Sequence, residues 1–228
     1  MFRAAFAPGA SPNFMGVSTN RSRYSTHIHG SKSKSSYGSK SFEFFDSQMG
    51  NPWEPHMYYS DLKFTQGLIH IECDYFLQPG AAPGFFLRQY TDLGTYLEGP
   101  GLQVSVDGTL GSMGTPLVQL SYNQWIRIKI DVAVGVFNTQ SFNLTVIFLE
   151  NSTTVSHVNL PYDNAGFCAL SWVGFVSLAA TPSAYYIDNF KVYTHAPAVT
   201  VPENVTVTAG STVQVPVNVE KVKKAKSK

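Results

Sequence analysis

Two acidic residues with a spacing that suits catalysis lie in the segment GLIHIECDYFL, residues 67–77. Glu72 and Asp74 are two positions apart, and side chains two apart on a strand share a face. This spacing can bring two carboxyl groups to the separation of about 5 Å that a retaining glycosidase needs. The competing interpretation, which we favour, is a solvated sheet face, because exposed acids on strands are common. His70 shares this face, so a metal-binding ladder of His70, Glu72 and Asp74 is a third interpretation.

A single carboxylate, Asp188, lies in a run of aromatic and β-branched residues at 185–193. Burying a carboxylate is costly unless the group is paired or ligated. We therefore expect Asp188 to accept backbone N–H groups at the end of a sheet, or else to bind a structural calcium ion. In the calcium interpretation the oxygen ligands are Asp188 or Asn189 together with Asp46 or Glu43. No other cofactor is predicted.

Aromatic side chains near an arginine form the third candidate site. In GFFLRQY, Phe86, Arg88 and Tyr90 share one face, and a guanidinium beside aromatic rings suits a planar ligand. A glycan site needs such exposed rings together with a few polar groups. Core packing is the rival interpretation for each ring, because most aromatic side chains of a globular domain are buried. The predicted ligand-binding residues are Trp53, Tyr58, Tyr59, Phe86, Arg88, Tyr90, Asp92 and Tyr96.

The elements that must position these side chains are β-strands. Charged residues make up only 14% of the chain and aromatic residues 14%, and Gly, Pro and Asn punctuate the sequence at short intervals. In WIRIKIDVAV, residues 125–134, apolar and polar residues alternate with period two, and Asp107-Gly108 is a strong hairpin signal. Nine or ten such strands predict an all-β, two-sheet antiparallel jelly-roll sandwich.

The same alternation assigns individual side chains to faces. It places Ile69, Ile71, Cys73 and Tyr75 inward, and it separates Asp188 and Phe190 on one face from Asn189 on the other. Trp125 and Trp172 lead into strongly apolar strands, so we assign both to the core. Cys73 and Cys168 lie in apolar surroundings, and we favour two buried thiols over one disulfide.

The order of four segments resembles the concanavalin A-like lectin/glucanase superfamily, in its laminin-G-like or pentraxin-like branch. These segments are GLIHIECDYFL, GLQVSVDGTLG, YNQWIRIKIDVAVGVFNTQSFNLTVIFLE and AYYIDNFKVY, and the resemblance covers about residues 15–195. It implies a jelly roll of two curved sheets, often an accessory module of large extracellular proteins that bind or act on glycans. The glucanases of the superfamily carry a Glu-x-Asp-x-x-Glu strand, and this sequence lacks its third acid. The Tyr-x-Lys strand of jelly-roll lyases is also missing, since FKVY inverts it.

The predicted organisation has four parts. Residues 1–15 are an irregular N-terminal segment, and residues 16–195 are the jelly-roll sandwich. Residues 196–220 contain three prolines and two short alternating runs, which we interpret as a linker and the opening strands of a truncated immunoglobulin-like module. The basic segment 221–228 is predicted to be disordered.

Charge and hydropathy narrow the function. A formal net charge of +1 gives no field that would attract nucleic acid, and no window of 18 apolar residues predicts a membrane span. We predict a non-catalytic module of an extracellular or cell-surface protein, which binds a glycan or packs as a structural accessory domain on neighbouring domains of the same polypeptide. The alternatives are a glycoside hydrolase that uses Glu72 and Asp74, and a structural shell or adhesion protein.

Overall fold

The structure is a computed structural model that describes residues 5–6, 14–18, 27–31, 36, 41–47, 53–91, 94–194, 198–200 and 218–220. For residues 5–6, 14–18, 27–31, 198–200 and 218–220 it describes the backbone alone. The strands in chain order are β1 Ala5–Phe6, β2 Phe14–Ser18, β3 His27–Ser31, β4 Ser41–Asp46, β5 His56–Ser60, β6 Gly67–Leu77, β7 Pro83–Tyr90, β8 Tyr96–Val104, β9 Thr109–Ser112, β10 Thr115–Gln119, β11 Trp125–Val134, β12 Ser141–Phe148, β13 Thr154–Pro161, β14 Trp172–Ser177, β15 Ser183–Thr194, β16 Ala198–Thr200 and β17 Asn218–Glu220. A 3-10 turn, Gly135–Phe137, follows β11.

Two sheets pack face to face, which confirms the predicted all-β jelly-roll sandwich. The first sheet has the order β13-β12-β11-β6-β15-β4-β3, and β1 pairs in parallel with β15 beside this path. The second sheet has the order β10-β9-β8-β7-β14-β5-β2. Every pairing except that of β1 with β15 is antiparallel. No helix in the described part of the chain has the length and hydropathy needed to cross a membrane.

The core lies between the sheets, where period-two alternation directs the apolar side chains of both. Along β11 every second residue, from Ile126 to Val134, is buried, as the sequence predicts. The hydroxyl group of Tyr185 on β15 donates to the carbonyl oxygen of Val176 on β14 at 2.9 Å, so a buried hydrogen bond joins the two layers. The Asp107-Gly108 hairpin is present between β8 and β9, with Gly108 at a φ of 87°.

A bulge in β15 changes the predicted faces of its second half. Asn189 has a φ of 51°, and the pairing of β15 with β6 shifts between Asp188 and Lys191. An extra residue at a bulge reverses the alternation that follows it. Phe190 therefore lies fully buried in the core, whereas Asn189 points outward beside Asp188, the reverse of the predicted assignment.

The two cysteines are both free, and only one of them is buried. Cys73 lies in the core, as predicted, but Cys168 is exposed, so the prediction of two buried thiols is wrong for Cys168. Residue 168 follows a turn and lies outside the strands, and apolar neighbours in sequence do not bury a side chain there.

The chain divides into two compact units, Met1–Thr194 and His195–Lys228. In the second unit β16 and β17 form a two-stranded antiparallel ribbon. The remaining residues of the predicted immunoglobulin-like module, and the whole of the predicted tail at 221–228, lie outside the described residues. The immunoglobulin-like assignment therefore stays a prediction.

Candidate functional site

A cavity of about 840 Å³ lies on the outer face of the second sheet. Its side chains come from β5, β7, β8 and β14 and from the segments next to them. We call this cavity the aromatic groove. It is lined by Trp53, His56, Tyr58, Ser60, Asp61, Phe86, Arg88, Tyr90, Tyr96, Ser171, Trp172, Val176 and Leu178.

Strand alternation and register together create the groove. On β7 the side chains of Phe85 and Leu87 enter the core, so those of Phe86 and Arg88 point outward. The antiparallel register places Arg88 opposite Trp172 on β14. Directly opposite residues lie about 4.5–5.5 Å apart, so these outward side chains touch across the strands.

Two glycines allow the aromatic rings to lie flat on the sheet. The indole ring of Trp172 covers Gly174, where a Cβ atom would lie 1.9 Å from Cη2 of the indole. In the same way a Cβ atom on Gly84 would lie 2.7 Å from Cε2 of Phe86 and 2.8 Å from Cγ2 of Val176. All three distances are far shorter than a van der Waals contact. The floor of the groove therefore depends on the absence of side chains at these two positions.

Arg88 is the cation at the centre of the groove. The guanidinium carbon of Arg88 lies 4.2 Å from the ring centroid of Tyr96, 4.6 Å from that of Trp172 and 5.6 Å from that of Phe86. Nε of Arg88 also lies 3.4 Å from Oε2 of Glu98, which is a charge contact rather than a well-formed hydrogen bond. The rings and the carboxylate together hold the guanidinium plane in one orientation.

A row of aromatic rings continues from Trp172 across β5; Trp172, Tyr58 and His56 are stacked, and Trp53 is tilted against His56. The ring centroids of Trp172 and Tyr58 are 5.7 Å apart, those of Tyr58 and His56 5.6 Å, and those of His56 and Trp53 4.9 Å. At the other side Tyr90 and Tyr96 lie 5.7 Å apart. The groove therefore offers a nearly continuous aromatic surface that crosses neighbouring strands.

The histidine in this row is held in its neutral form. Burial lowers the pKa of His56, and the nearby positive charge of Arg88 lowers it further, while Glu54 acts in the opposite direction. Nδ1 of His56 is buried and has no hydrogen-bond partner among the described residues. His56 therefore adds an aromatic ring and a polar nitrogen to the groove at neutral pH, but no charge.

The structure brings six of the eight predicted ligand-binding residues together in the lining of the groove: Trp53, Tyr58, Phe86, Arg88, Tyr90 and Tyr96. Tyr59 does not line it, because it is 5% exposed and stacks on the core residue Phe190. Tyr58 and Tyr59 differ because alternate residues of β5 face opposite sides. Asp92 lies outside the described residues.

Two aromatic side chains of the groove were not among the predicted ligand-binding residues, His56 and Trp172. Trp172 is buried, as predicted, but on the outer face of the sheet rather than between the sheets. The signal in the sequence is the spacing Trp172-Val-Gly174, which leaves room on one face for a ring to lie flat. Trp125 also differs from its predicted place in the core. It is only partly buried and packs on Phe76 at the outer face of the first sheet.

The candidate carboxylate pair lies on the first sheet, away from the groove. Asp74 is fully buried, and Arg127 binds it in a bidentate manner through Nε at 2.6 Å and Nη2 at 2.9 Å. The Ser36 hydroxyl and the Asn189 side-chain amide also donate to Asp74, at 2.6 and 2.7 Å. The solvated face that we favoured is therefore wrong for Asp74, whose oxygens are already used within the protein.

Glu72 is equally enclosed by cations. Its carboxylate lies 3.2 Å from Nζ of Lys129, 3.2 Å from Nζ of Lys191 and 3.6 Å from Nη1 of Arg127. Burial acts to raise the pKa of Glu72, but these three cations outweigh it, so the pKa lies below its ordinary value. A carboxylate held ionised in this way is a poor general acid.

The third member of the predicted ladder, His70, joins neither Glu72 nor Asp74. Its Nδ1 lies 2.6 Å from Oδ1 of Asp131, and its ring stacks on Tyr193. Within the described residues no group of three His, Cys, Asp or Glu side chains could hold a metal ion.

Asp188 accepts backbone N–H groups, as predicted, from Ser36 at 3.0 Å and from Asn189 at 2.8 Å. The structural calcium ion stays a prediction, and of its proposed ligands Glu43 pairs with Tyr186, two residues before Asp188, whereas Asp46 is more distant. Asp46 pairs with Ser183, which is five residues before Asp188 and therefore about 16 Å away along the strand. The side-chain amide of Asn189 donates to Asp74, so its nitrogen rather than its oxygen faces the carboxylates.

A second cavity of about 640 Å³ adjoins the aromatic groove, and Leu178 lines both. It lies over β8, β9 and β10. Near the boundary, Oδ2 of Asp163 is seated over Gly101, where a Cβ atom would lie 2.7 Å from it and 3.3 Å from Cδ1 of Phe86. Burial of the carboxyl group, together with the nearby Glu98, raises the pKa of Asp163 to about 6.

Comparison with solved structures identifies the fold. The marine PL-14 alginate lyase from Aplysia kurodai is 15% identical to this chain with a TM-score of 0.52, and the alignment covers 74% of this chain and 87% of the lyase. The cellulose induced protein Cip1 is 11% identical with a TM-score of 0.51, and the alignment covers 81% of this chain and 93% of that protein. The chain has a concanavalin A-like fold. No family model and no curated protein matches the sequence.

On this concanavalin A-like fold the two candidate sites occupy opposite outer faces. The ion-pair network of Glu72 and Asp74 lies on the outer face of the first sheet, and the aromatic groove lies on the outer face of the second. At such low identities the similarity concerns the fold, and a fold of this kind hosts many activities. The function must therefore be argued from the groove itself.

Proposed function

We propose that the Met1–Thr194 unit is a carbohydrate-binding domain that holds a glycan in the aromatic groove without cleaving it. The observation that carries the proposal is the set of aromatic rings around Arg88. The buried rings of Phe86 and Trp172 form the floor of the groove, and the exposed rings of Trp53, Tyr90 and Tyr96 border it. The C–H faces of sugar rings stack on aromatic faces, and a few fixed polar groups satisfy the hydroxyls. This groove supplies both.

The groove is organised before a ligand arrives. Trp172 and Phe86 are fixed against glycines, and Arg88 is fixed between rings. Side chains that are already immobile lose little conformational entropy on binding, which would otherwise reduce the affinity by about 0.5–1.5 kcal/mol per ordered side chain. Trp53, Tyr90 and Tyr96 are each 45% exposed, so their rings are accessible to a ligand.

One feature argues against hydrolysis by the acidic pair, and the fold supports a glycan as the ligand. Glu72 and Asp74, the pair proposed for a glycoside hydrolase, lie on the other sheet and are neutralised by cations. One protein of the same fold is an alginate lyase by name, so glycan-directed proteins occur on this scaffold. We extend the proposal to a role as an accessory domain of a larger extracellular protein, as predicted from the sequence.

The test is affinity electrophoresis of the full chain through gels that contain soluble polysaccharides. We expect retardation by at least one polysaccharide, and we expect Tyr96→Ala to weaken it about tenfold, since stacking of one ring contributes on the order of 1 kcal/mol or more. Tyr193→Ala is the matched control, because Tyr193 is a half-buried tyrosine on the first sheet. Identical mobility in every polysaccharide gel, for wild type and variants alike, would remove the proposal.

A further inference from the structure

In the two cavities the charged side chains among the described lining residues are one cation and two carboxylates. Among the described lining residues of the aromatic groove, the charged side chains are Arg88 and Asp61, and His56 is held neutral. In the second cavity the one charged lining side chain is Asp107. Hydrogen bonds from Ser105 and Thr109 lower the pKa of Asp107, so this carboxylate is ionised at neutral pH.

The single cation is already compensated. Nε of Arg88 faces Glu98, and rings cover the guanidinium plane. A ligand carboxylate or sulfate that approached Arg88 would have to compete with Glu98 for the same charge. The N–H groups of Arg88 that Glu98 does not engage can still donate to uncharged hydroxyl oxygens.

A second carboxyl group, that of Asp163, lies near Glu98. The backbone N–H groups of Asp163 and Asn164 donate to the carbonyl oxygens of Gly99 at 3.1 Å and Glu98 at 2.8 Å, and these bonds anchor the segment to β8. A Cβ atom on Gly101 would lie 2.7 Å from Oδ2 of Asp163 and 3.3 Å from Cδ1 of Phe86, so this carboxylate is close to a ring that lines the groove. Glu98 and Asp163 thus place two acidic groups beside the lining residues Arg88 and Phe86.

We propose that the ligand is a neutral glycan chain, and that the groove selects against polyuronates and sulfated glycans through Glu98, Asp163, Asp61 and Asp107. This inference rests on the proposed carbohydrate-binding function and adds the substrate class. Because Leu178 lines both cavities, a chain that leaves the aromatic groove passes towards Asp107. Like charges placed along the path of a polyanion are a repulsive specificity element.

The experiment compares neutral with anionic polysaccharides in the same affinity gels, using the full chain. The neutral probes are a soluble β-glucan and a galactomannan, and the anionic probes are alginate and polygalacturonate. At low ionic strength we expect the best neutral polymer to bind about tenfold more tightly than either anionic polymer, and added salt should narrow this gap, because salt screens exposed charges.

A charge-only variant separates electrostatics from stacking. Glu98→Gln removes one negative charge without removing a ring and releases Arg88, so we expect the affinity for the anionic polymers to rise about fivefold relative to the affinity for the neutral polymers. Glu150→Gln is the matched control, with the same change of charge at an exposed position outside the groove. Melting temperatures of both variants confirm that they are folded.

Three results would overturn the inference. Tighter binding of wild type to an anionic polymer than to both neutral ones refutes the neutral preference and leaves the carbohydrate-binding function standing. An unchanged ratio of anionic to neutral binding in Glu98→Gln refutes the charge mechanism. Absence of binding to all four polymers removes the proposed function and the inference with it.

Discussion

At the scale of single residues, the groove depends on the pairing of Trp172 with Gly174. An indole ring that lies flat on a sheet needs a position without a Cβ atom beneath it, and Gly174 provides that position on the same face of β14. The ring then serves two purposes: it closes the outer face of the strand and presents its other side to Arg88. A tryptophan on the outer face of a strand can therefore be as buried as one in the core.

Gly174→Ala tests this pairing. The new methyl group would collide with Trp172, so the ring must leave the floor, and we expect destabilisation of about 1–3 kcal/mol together with loss of glycan retention. Urea unfolding followed by tryptophan fluorescence gives the stability. Gly166→Ala, in an exposed turn, is the control that should leave glycan retention unchanged. A variant with wild-type stability and wild-type retention would contradict the proposed role of Gly174.

Asp163 gives a prediction for the pH dependence of stability. Its pKa is about 6 in the folded protein and 3.8 ordinarily, so between these values the folded state binds more protons than the unfolded state. The contribution of Asp163 to stability is therefore largest below pH 3.8 and is lost as the pH rises from there through 6. Asp163→Asn cannot ionise, so we expect it to melt at a higher temperature than wild type above pH 6, with the difference vanishing towards pH 4. If the difference in melting temperature between the two proteins stays constant across this pH range, the raised pKa of Asp163 is disproved.

At the scale of elements, cross-strand register explains what the acidic pair does. Antiparallel pairing of β6 with β11 sets Asp74 opposite Arg127 and Glu72 opposite Lys129, so each acid meets a base. Strand β15 adds Lys191 opposite Glu72 from the other side. Opposite charges directly across a sheet stabilise it, and the outer face of the first sheet is built on this pattern.

Asp74→Asn tests the structural role of this network. Asp74 is fully buried and bound by Arg127, and loss of one partner of a buried ion pair costs about 3–5 kcal/mol. We expect a destabilisation towards the lower end of this range, because Arg127 keeps Glu72 as a second partner. Chemical unfolding provides the measurement. Glycan retention in the affinity gel should be unchanged, and reducing ends that wild type releases from a polysaccharide but Asp74→Asn does not would instead restore the glycosidase interpretation.

Features of these elements that depend on local backbone geometry could be predicted from the sequence. The alternation in β11 and the Asp107-Gly108 turn are of this kind. The bulge at Asn189 was not, because one residue in the left-handed region leaves no mark on composition. The partners of Asp74 were hidden as well, since Arg127 lies 53 positions away and only the register brings them together.

The part of the candidate site that lies on a single strand could be predicted, whereas the part that depends on strand order could not. Phe86, Arg88 and Tyr90 belong to one strand, and period two fixes their common face. The contribution of β14 and β5 depends on strand order, which places β14 between β7 and β5. Strand order comes from long-range pairing. The Trp172-Val-Gly174 spacing in WVGFVS indicates that a ring can lie flat on one face, but it does not tell which face of the sheet points outward.

At the scale of the whole molecule, the groove belongs entirely to the Met1–Thr194 unit. All of its lining residues fall between Trp53 and Leu178, and β15 completes the first sheet when Thr194 pairs with Ile69. The His195–Lys228 unit contributes the ribbon of β16 and β17, whose strands pair with each other. A lone two-stranded ribbon is marginally stable in water, so the ribbon is a weak folding unit by itself.

The division into two units predicts the effect of truncating the chain after Thr194. Because the core and both sheets of the first unit are complete without His195–Lys228, we expect the shortened chain to keep its cooperative melting transition and its glycan retention within about twofold of the full chain. Circular dichroism melts and affinity gels on both lengths measure this. Truncation after Val173 is the matched negative control, because it removes most of β14 and all of β15 from the centres of the two sheets. If the chain truncated after Thr194 loses glycan retention while its melting transition is unchanged, residues beyond 194 take part in binding. The aromatic groove would then be only part of the binding site.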